Sequence, residues 1–487
     1  MKPSNKRLLL PFFILPFFII LPDCKSSSGN EIKPSVPDSL NTGKQVKTDV
    51  EFWMTNAEGT VLFEKQNTGL LFNAANNDNL TIDVDTSQRY QEIDGFGFAL
   101  TGGSATLING LEETKKEALL KELFLTDSTN IGVSYLRISL GASDLSEMPF
   151  TYDETTNGQK DVNLQSFSLD KETKDLIPVL QRIVALAPKI KIIATPWTAP
   201  TWMKTNGGYV GGSLDTSYYE VYARYFVKYI QAMKSHGITI DAVTPQNEPL
   251  NPYNNPSMLM MAIEQANFIK NHLGPQFKMN NISTKIIDYD HNLDHPEYAT
   301  TVLSDSGACK YTDGSAFHLY AGDIATMSTI HSRYPDKNLY FTEQYTSSTG
   351  TFNGDFQWHI KNLIIGATRN WSRNVLEWNL ASDPQMKPHT DGGCSTCQGA
   401  LTIGNSVIRN VSYYIIAQAS KFVRPGSVRI ESTTVDNLPN VAFKTPDGKK
   451  VLIVLNNGNS SITFNIRFNG KVVSPSLFAG AAGTFIW

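Results

Sequence analysis

The sequence predicts an α/β protein, a (β/α)8 TIM barrel with a side β-sandwich domain formed by both chain ends. Two observations support this prediction. The middle of the chain alternates short apolar, β-branched runs with helix-length segments, a pattern typical of parallel strands joined by helices. Both ends instead contain short strands separated by Asn, Gly and Asp turns. Eight apolar runs in the middle indicate a sheet that closes into a barrel.

The barrel is predicted to occupy residues 91–420. Its candidate strands are 93–98, 135–140, 190–194, 242–244, 284–288, 314–318, 339–342 and 375–378. The clearest helix is 218–236, where aromatic and aliphatic residues recur every three to four positions and Gly237 ends the pattern. We expect the tyrosines of this helix to belong to the core.

The side domain is predicted to combine residues 48–90 with residues 421–487. Its candidate strands are 50–54, 60–63, 80–85, 428–430, 441–444, 451–455, 462–468 and 483–487. Asp447-Gly448 and Asn469-Gly470 have the composition of hairpin turns. Because the few N-terminal strands need a partner sheet, we expect them to join the C-terminal strands.

Residues 1–24 have the features of an export signal. Basic residues precede an apolar stretch, 8–21, that is too short to span a bilayer. The residues up to Cys24 resemble a bacterial lipoprotein signal, in which the cysteine is lipidated, although Asp23 stands where a small residue is preferred. We expect export to the bacterial cell surface or periplasm with a lipid anchor at Cys24. A plain secretory signal is the alternative.

Composition bounds the partners of the chain. The 487 residues carry a formal net charge of −4, so no basic footprint for nucleic acid is present. Residues 25–47 are rich in Ser, Asn, Lys and Pro, and we predict a flexible tether there. We expect a monomer without cofactor or metal, which contacts a membrane only through its anchor.

Two glutamates follow apolar runs in the same way. Glu248 follows the candidate strand 242–244, and Glu343 ends the run 338–342. Pro249 disfavours a helical conformation at Glu248, so we expect an extended backbone there. The carboxyl ends of barrel strands meet at one face, which brings the two carboxylates together. Either glutamate alone would be explained as an exposed loop residue.

Other strand ends carry polar and aromatic residues. Sugars present apolar C–H faces and hydroxyl groups, so a sugar site combines aromatic rings with carboxylates and amides. Each tryptophan alone could equally be a core residue. The end of strand five, 289–292, is expected to line the same cleft without an assigned role. The candidates elsewhere are Arg137, Asp144, Trp197, Asn247, His318, Tyr320 and Trp378.

Six motifs, in order, resemble family 30 of the glycoside hydrolases, which includes glucosylceramidases and endo-β-1,6-glucanases. They are GFG at 95–97, YLRI at 135–138, PWTAPTWMK at 196–204, QNEP at 246–249, FTE at 341–343 and WNL at 378–380. The similarity extends from about residue 50 to the C-terminus. It implies a retaining glycosidase that acts on a β-glucan or another β-glucoside.

The resemblance also implies roles. Glu343 would be the nucleophile and Glu248 the acid/base, with their carboxyl groups about 5–5.5 Å apart. We expect an ionised Glu343 and a raised pKa for Glu248 beside that negative charge. Asn247 would hold the 2-hydroxyl of the sugar. The remaining expected roles are nucleophile positioning for Arg137, His318 and Tyr320, and sugar binding for Asp144, Trp197 and Trp378.

Cys394 and Cys397 lie in the loop after strand eight. A two-cysteine spacing is compatible with a metal site, a redox motif or a disulfide. With His389 we find only three ligands where structural zinc needs four, and the fold is not thioredoxin-like. Export favours a disulfide. Cys309 is expected to be a free, buried thiol.

These observations favour an endo-β-1,6-glucanase. The preference for the β-1,6 linkage depends on the two-cysteine loop, which resembles that of bacterial members near the β-1,6-glucanase branch. One alternative is an exo-acting β-glucosidase or glucosylceramidase-like enzyme with a blind pocket. Another is a glycan-binding lipoprotein without turnover, which is disfavoured because a pure binder does not need both carboxylates.

Overall fold

The computed structural model describes residues 46–74 and 76–487. The predicted signal and almost the whole predicted tether therefore lie outside the described residues. Among the helices that are described, none is long and apolar enough to cross a membrane.

Eight parallel strands close into a barrel and follow one another around it in chain order. All eight predicted strands are present, with ends shifted by a few residues, and the predicted fold class is confirmed. The barrel strands are Gly95–Ala99, Tyr135–Ser139, Lys191–Thr195, Ala242–Val243, Lys285–Asn292, Thr312–His318, Asn338–Glu343 and Ser372–Asn379.

Helices connect these strands on the outside of the barrel. The predicted helix 218–236 is observed as Tyr219–Ser235, and its residues Tyr222, Tyr225 and Tyr229 are fully buried, as expected for a core stripe. The other α-helices are Gly102–Asn109, Glu113–Phe124, Leu176–Leu186, Ala262–Phe268, Gly274–Met279, Pro296–Ser304, Ser306–Cys309, Thr326–Arg333, Phe352–His359 and Val411–Ser420. Two π-helical segments, Ile269–Leu273 and Ile360–Ala367, continue helices of this set.

The barrel interior is filled by a layer of apolar residues below the predicted site. It contains one residue from each of strands two to eight, namely Tyr135, Ile193, Ala242, Ile287, Ala316, Tyr340 and Leu376. Successive side chains alternate between the two faces of a strand, so the residue two positions later faces the same way. This period places Arg137, Thr195, Thr244, His318, Thr342 and Trp378 in the next layer, towards the carboxyl ends of the strands.

A nine-stranded sheet forms the side domain, and it contains strands from both chain ends as predicted. Its central members are antiparallel, and the N-terminal strand pairs with the last strand, Trp53 opposite Thr484. In spatial order the strands are Glu64–Lys65, Glu51–Thr55, Ala482–Ile486, Lys450–Leu455, Asn440–Lys444, Ser427–Ser432, Thr81–Ile93, Asn465–Phe468 and Lys471–Val473. The smaller sheets contain Thr346–Ser347, Cys397–Gln398, Ala381–Ser382, Leu401–Ile403, Val407–Arg409, Ile462–Thr463 and Ser476–Leu477.

Two predicted strands of this domain are wrong in detail. Residues 60–63 form the turn before Glu64–Lys65, because the side chain of Asn56 accepts the backbone N–H groups of Thr60 and Val61. The predicted strand 462–468 is interrupted at Phe464, and its two halves pair with different strands.

A buried polar network joins the last helix to the side sheet. Gln418 donates from Nε2 to Thr55 Oγ1 at 2.9 Å, and Thr484 donates from Oγ1 to Gln418 Oε1 at 2.7 Å. Gln418 and both threonines are fully buried, so each hydrogen-bonding group would be costly to leave unpaired. The helix thus fixes the two terminal strands against the barrel.

Candidate active site

Glu248 lies in a tight turn beyond the fourth barrel strand. Its φ is 42°, in the left-handed region, so the expected extended conformation is wrong. The turn is held because the N–H of Glu248 donates to the carbonyl of Asp290 at 3.0 Å and its own carbonyl accepts from Asn251 N–H at 2.8 Å. Asn251 also donates from Nδ2 to Glu248 Oε2 at 2.8 Å, which fixes the carboxylate.

Glu343 ends the seventh strand and is almost fully buried. Arg137 donates from Nη1 to its Oε2 at 2.5 Å, and the hydroxyl of Tyr320 donates to its Oε1 at 2.9 Å. Both contacts hold the carboxylate in one orientation. The positions of Arg137 and Tyr320 therefore suit the expected role of orienting Glu343.

The two carboxylates and His318 form one cluster. One oxygen of Glu248, one oxygen of Glu343 and a ring nitrogen of His318 all lie within 4.8 Å of one another. Carboxyl groups about 5–5.5 Å apart are typical of retaining glycosidases, whereas inverting enzymes need about 6.5–9.5 Å to admit a water. The short separation thus favours double displacement.

Asp290 is a functional residue to which the sequence assigned no role. Its carboxylate is completely buried and accepts hydrogen bonds from side chains of several barrel strands. The donors are Arg137 Nη2 at 2.9 Å, His318 Nε2 at 3.0 Å, Thr195 Oγ1 at 3.2 Å, Thr244 Oγ1 at 2.8 Å and Thr342 Oγ1 at 2.6 Å. Asp290 thereby fixes the two cationic side chains that contact the catalytic candidates.

The inward facing of Asp290 could not be predicted from the sequence, because the alternation of side chains between the two faces breaks in strand five. Ile287 faces the barrel interior, so a regular strand would point Tyr289 inward and Asp290 outward. Positive φ angles of 66° at Tyr289 and 71° at Asp290 accompany a shift in register, and Asp290 faces the interior instead. The feature of the sequence that could have indicated a role for Asp290 is that it is an acidic residue within the run 289–292.

Protonation in the free site differs from the expectation. Burial alone would lower the pKa of His318, but Glu343, Asp290 and Glu248 around it raise the pKa of His318 to about 9. Burial would raise the pKa of Glu248, but the hydrogen bond and charge of His318 lower it to about 2. Burial raises the pKa of Glu343, against the opposing charges of His318 and Arg137. The expected raised pKa of Glu248 is wrong for the free site because the expectation omitted the imidazolium.

Asn247 precedes the acid/base candidate and contacts Arg137. Its Oδ1 accepts from Arg137 Nη2 at 2.6 Å, and its backbone N–H donates to the carbonyl of Pro196 at 2.8 Å. Since Oδ1 is occupied, the amide NH2 is the group that can donate to a sugar hydroxyl. The predicted role at the 2-hydroxyl is compatible with this orientation.

Trp197 and Trp378 lie beside each other under Arg137. Their ring centroids are 5.3 Å apart with an interplanar angle of 26°, and the guanidinium carbon of Arg137 lies 4.8 Å and 5.6 Å from the two centroids. Trp197 is 2% exposed and Trp378 3%, so their faces contact protein. Neither ring therefore offers an open face on which a sugar could stack, and the expected role of both tryptophans in sugar binding stays a prediction.

Asp144 is held by the two-cysteine loop. Cys394 and Cys397 form a disulfide, and the N–H of Cys394 donates to Asp144 Oδ2 at 3.3 Å. The carbonyl of Asp144 accepts from the N–H of Thr390 at 2.8 Å. Burial, together with the charge of Glu343, raises the pKa of Asp144 to about 7. Cys309, outside this loop, is free as expected but partly exposed rather than buried.

This arrangement defines a class of enzyme, a barrel glycosidase that acts by double displacement. The carboxylates of Glu248 and Glu343, with oxygens within 4.8 Å of each other, meet the distance requirement of this class. Residues 93–423 match the Glycosyl hydrolase family 30 TIM-barrel domain, and residues 426–485 match the Glycosyl hydrolase family 30 beta sandwich domain. The chain belongs to glycoside hydrolase family 30, and it is a retaining glycoside hydrolase.

Known relatives agree with this membership. An endo-1,6-beta-D-glucanase neg1 of Aspergillus fumigatus is 35% identical over 432 residues, which cover 82% of this chain and 86% of the relative. The lysosomal acid glucosylceramidase of Mus musculus is 28% identical over 91% of this chain and 88% of its own. The solved structure of the endo-beta1,6-glucanase BT3312 has a TM-score of 0.85 and 34% identity, covering 91% of this chain and 99% of that one.

The pKa of His318 predicts how stability depends on pH. A histidine whose pKa is raised on folding stabilises the protein fully below its unfolded value, about 6.5, and loses this contribution as pH rises through the folded value. For His318, with a folded value of about 9, the contribution is about 3 kcal/mol. We expect the difference in unfolding free energy between wild type and His318→Gln to shrink by about that amount between pH 6 and pH 10. Denaturant unfolding at several pH values measures it.

The control is His295→Gln, because that ring is half exposed. The effect of His295→Gln is smaller, so the unfolding free energy of this variant should depend on pH almost as it does in wild type. A difference for His318→Gln that is equal at pH 6 and pH 10 would contradict a charged imidazole in the cluster.

The disulfide predicts a binding effect. In Cys394→Ser/Cys397→Ser the loop loses its cross-link, and Asp144 loses a fixed N–H donor. One hydrogen bond contributes about 1 kcal/mol, so KM should rise about fivefold. The value of kcat should change less than twofold, since Arg137 and Tyr320 still hold Glu343. Steady-state kinetics on the same substrate separate the two parameters.

Cys309→Ser is the matched control, because it removes a thiol and leaves the loop intact. A fall in kcat at constant KM in the double variant would show that the loop acts on the nucleophile and not on Asp144.

Proposed function

We propose that this enzyme is an endo-β-1,6-glucanase that cleaves internal bonds of a glucan with retention of configuration. The observation that supports this mechanism is that one oxygen of Glu248 and one oxygen of Glu343 lie within 4.8 Å of each other. The β-1,6 linkage is supported by relatives named endo-1,6-beta-D-glucanase, which are 34–35% identical over 80–84% of this chain.

The first step forms a glycosyl-enzyme. Glu343 Oε attacks the anomeric carbon, the bond to the leaving oxygen breaks, and that oxygen takes a proton from Glu248. In the free site this proton is on His318, whose Nδ1 lies 3.3 Å from Glu248 Oε1. A short transfer from Nδ1 to Oε1 charges the acid. Ester formation removes the negative charge of Glu343, one of the charges that hold the proton on His318.

The second step restores the enzyme. Glu248, now ionised, accepts a proton from water, and the hydroxide oxygen attacks the anomeric carbon from the face that the leaving group vacated. The ester bond breaks and Glu343 recovers its charge beside Arg137 and Tyr320. Two inversions give net retention, and the proton on Glu248 can return to His318.

Residues outside the cluster of Glu248, His318 and Glu343 determine which glycosidic linkage is cleaved. A β-1,6 bond contains an extra rotatable carbon, so successive glucose units turn away from one another and suit a bent, shallow cleft. The loop after Glu248 carries Tyr253, which is 87% exposed, and it contacts the disulfide loop through Asn255 Nδ2 and the carbonyl of Asp391 at 2.9 Å. This rim offers an aromatic surface for further glucose units.

The second candidate is an exo-acting β-glucosidase or glucosylceramidase-like enzyme. It is favoured by relatives named glucosylceramidase, at 28–29% identity over 78–91% of this chain. The chemistry at Glu248 and Glu343 would be the same. Only the number of glucose units bound on either side of the scissile bond would differ.

We also propose that the enzyme is exported and acts as a monomer at the bacterial cell surface or in the periplasm. The support is the signal pattern in residues 1–24, with Cys24 as the site of a lipid anchor. A glucan is too large to enter a cell readily, so export places the enzyme with its substrate.

The roles of the two glutamates predict different rescue by azide. An activated aryl glycoside needs no proton for departure, so Glu248→Ala should form the glycosyl-enzyme and stall there. Added azide should restore turnover and give a β-glycosyl azide. Glu343→Ala has no nucleophile, and azide rescue there should give the α-glycosyl azide. Product anomers are identified by NMR, and an exchange of the two outcomes would reverse the assignment.

The linkage predicts a substrate preference. We expect activity on β-1,6-glucan to exceed activity on β-1,3- or β-1,4-glucan at least about tenfold, about 1.4 kcal/mol of transition-state discrimination. Chromatography of the products from a linear β-1,6-glucan should show oligosaccharides early in the reaction. If the gentio-oligosaccharides remain intact while a terminal β-glucoside or glucosylceramide is cleaved well, the exo-acting candidate replaces this proposal.

A further inference from the structure

The catalytic cluster has the dimensions of a transition-metal site. His318 Nδ1 lies 3.3 Å from Glu248 Oε1 and 3.9 Å from Glu343 Oε1. Four ligands at about 2.0–2.1 Å around tetrahedral zinc are about 3.3 Å from one another. One edge of the cluster already has this length. The other two, 3.9 Å and at most 4.8 Å, are longer, so the two glutamate side chains must rotate against their hydrogen bonds for an ion to bind.

The surroundings of His318 match those of a metal ligand. A ligating histidine usually donates its second ring N–H to a carboxylate, which fixes the tautomer and the ring orientation. His318 Nε2 lies 3.0 Å from Asp290 Oδ1, so Nδ1 is left facing the two glutamates. Asp290 is itself held by Arg137 and Thr342. The imidazole is thus oriented towards the glutamates before any ion arrives.

A second histidine lies beside the same oxygen. His291 is 8% exposed, and its Nε2 lies 3.9 Å from Glu248 Oε1. It lies within reach of a fourth ligand position, which a water from the cleft can otherwise fill. Nitrogen ligands with only two carboxylates suit zinc better than magnesium or calcium, which prefer six or more oxygen ligands.

The charges also favour a dication. Glu248, Glu343 and Asp290 contribute three negative charges, and Arg137 contributes one positive charge within the same contacts. A metal ion needs the lone pair of Nδ1, so it must displace the proton that His318 carries in the free site. Once that proton is released, the buried cluster has a net charge of −2. A divalent ion neutralises it, whereas a monovalent ion leaves an uncompensated charge in a buried position.

We propose that the free enzyme binds one Zn²⁺ ion between Glu248, His318 and Glu343, and that this ion and the glycoside substrate exclude each other. Zinc occupies both oxygens that the reaction needs, so the bound form is inactive. Zinc thus acts as a reversible competitive inhibitor rather than a cofactor. Metal binding by these residues does not depend on the linkage that the enzyme cleaves, so the β-1,6 assignment and this site are tested separately.

The direct test uses Co²⁺ as a spectroscopic substitute for Zn²⁺. Titration of wild type should give the visible absorption bands of a four- or five-coordinate ion with one equivalent bound, and added Zn²⁺ should bleach them. Glu343→Gln keeps the shape of the side chain but removes one charged ligand, so its affinity should fall at least tenfold. The measurement needs no turnover and is therefore valid for an inactive variant.

Two variants distinguish other sites. His295 lies between Asp294 and Glu297 on the surface and is the matched control for an exposed histidine-carboxylate group. Cys309→Ala removes the free thiol found within residues 46–74 and 76–487. Both His295→Ala and Cys309→Ala should bind Co²⁺ as wild type does. Loss of the absorption bands in either control, or unchanged affinity in Glu343→Gln, would refute the site.

Kinetics provide the second arm. With any glycoside that the enzyme hydrolyses, Zn²⁺ should raise the apparent KM and leave kcat unchanged, and a chelator should restore full activity. His295→Ala and Cys309→Ala should show the same inhibition constant as wild type. Inhibition that lowers kcat at constant KM would place the ion outside the substrate site and overturn the proposal.

Discussion

The buried carboxylate of Asp290 is the constraint on which the catalytic face depends. An isolated ionised carboxylate inside a barrel would be prohibitively costly, and here it accepts hydrogen bonds from Arg137, His318 and three threonines. Each partner comes from a different strand or strand end, so the requirement to satisfy one anion fixes the relative positions of several barrel strands. Arg137 and His318 in turn contact Glu343 and Glu248. The geometry of the reacting groups follows from a residue that does not itself face the sugar.

This buried charge also decides where the mobile proton resides. Asp290 and the two glutamates keep His318 protonated in the free site, and the imidazolium keeps Glu248 ionised. In the proposed mechanism, the acid of the reaction is thus formed by transfer of this proton from His318 to Glu248. The pKa that matters for catalysis belongs to a group of coupled residues rather than to one carboxyl, in accord with the general behaviour of strongly interacting sites.

The sequence predicts the parts of this enzyme that follow a regular period. All eight barrel strands, the tyrosine helix and both glutamates were found because alternation and helical spacing repeat along the chain. The features that depart from this regular spacing were not predicted, because local backbone geometry overrides the spacing there. The positive φ angles at Tyr289 and Asp290 reverse the facing of strand five, and the turn at Glu248 overrides the preference imposed by Pro249. Asn56 likewise converts residues 60–63 into a turn through its side chain. The raised pKa expected for Glu248 failed because no spacing along the chain indicates that His318 lies beside it.

The pairing of the first strand with the last has a consequence for how the chain folds. Glu51–Thr55 lies between Glu64–Lys65 and Ala482–Ile486, so its longer hydrogen-bonded edge is completed by a strand that follows the whole barrel in the chain. Until the residues of that strand emerge, this hydrogen-bonding edge of the N-terminal strand has no partner strand. Pairing between strands so far apart in the chain is slow to form. The Gln418 network closes only at the same moment, because Thr484 arrives with the final strand. The side sheet is therefore completed only after all the barrel strands have been synthesised, and a chain without Ala482–Ile486 would expose a strand edge prone to association.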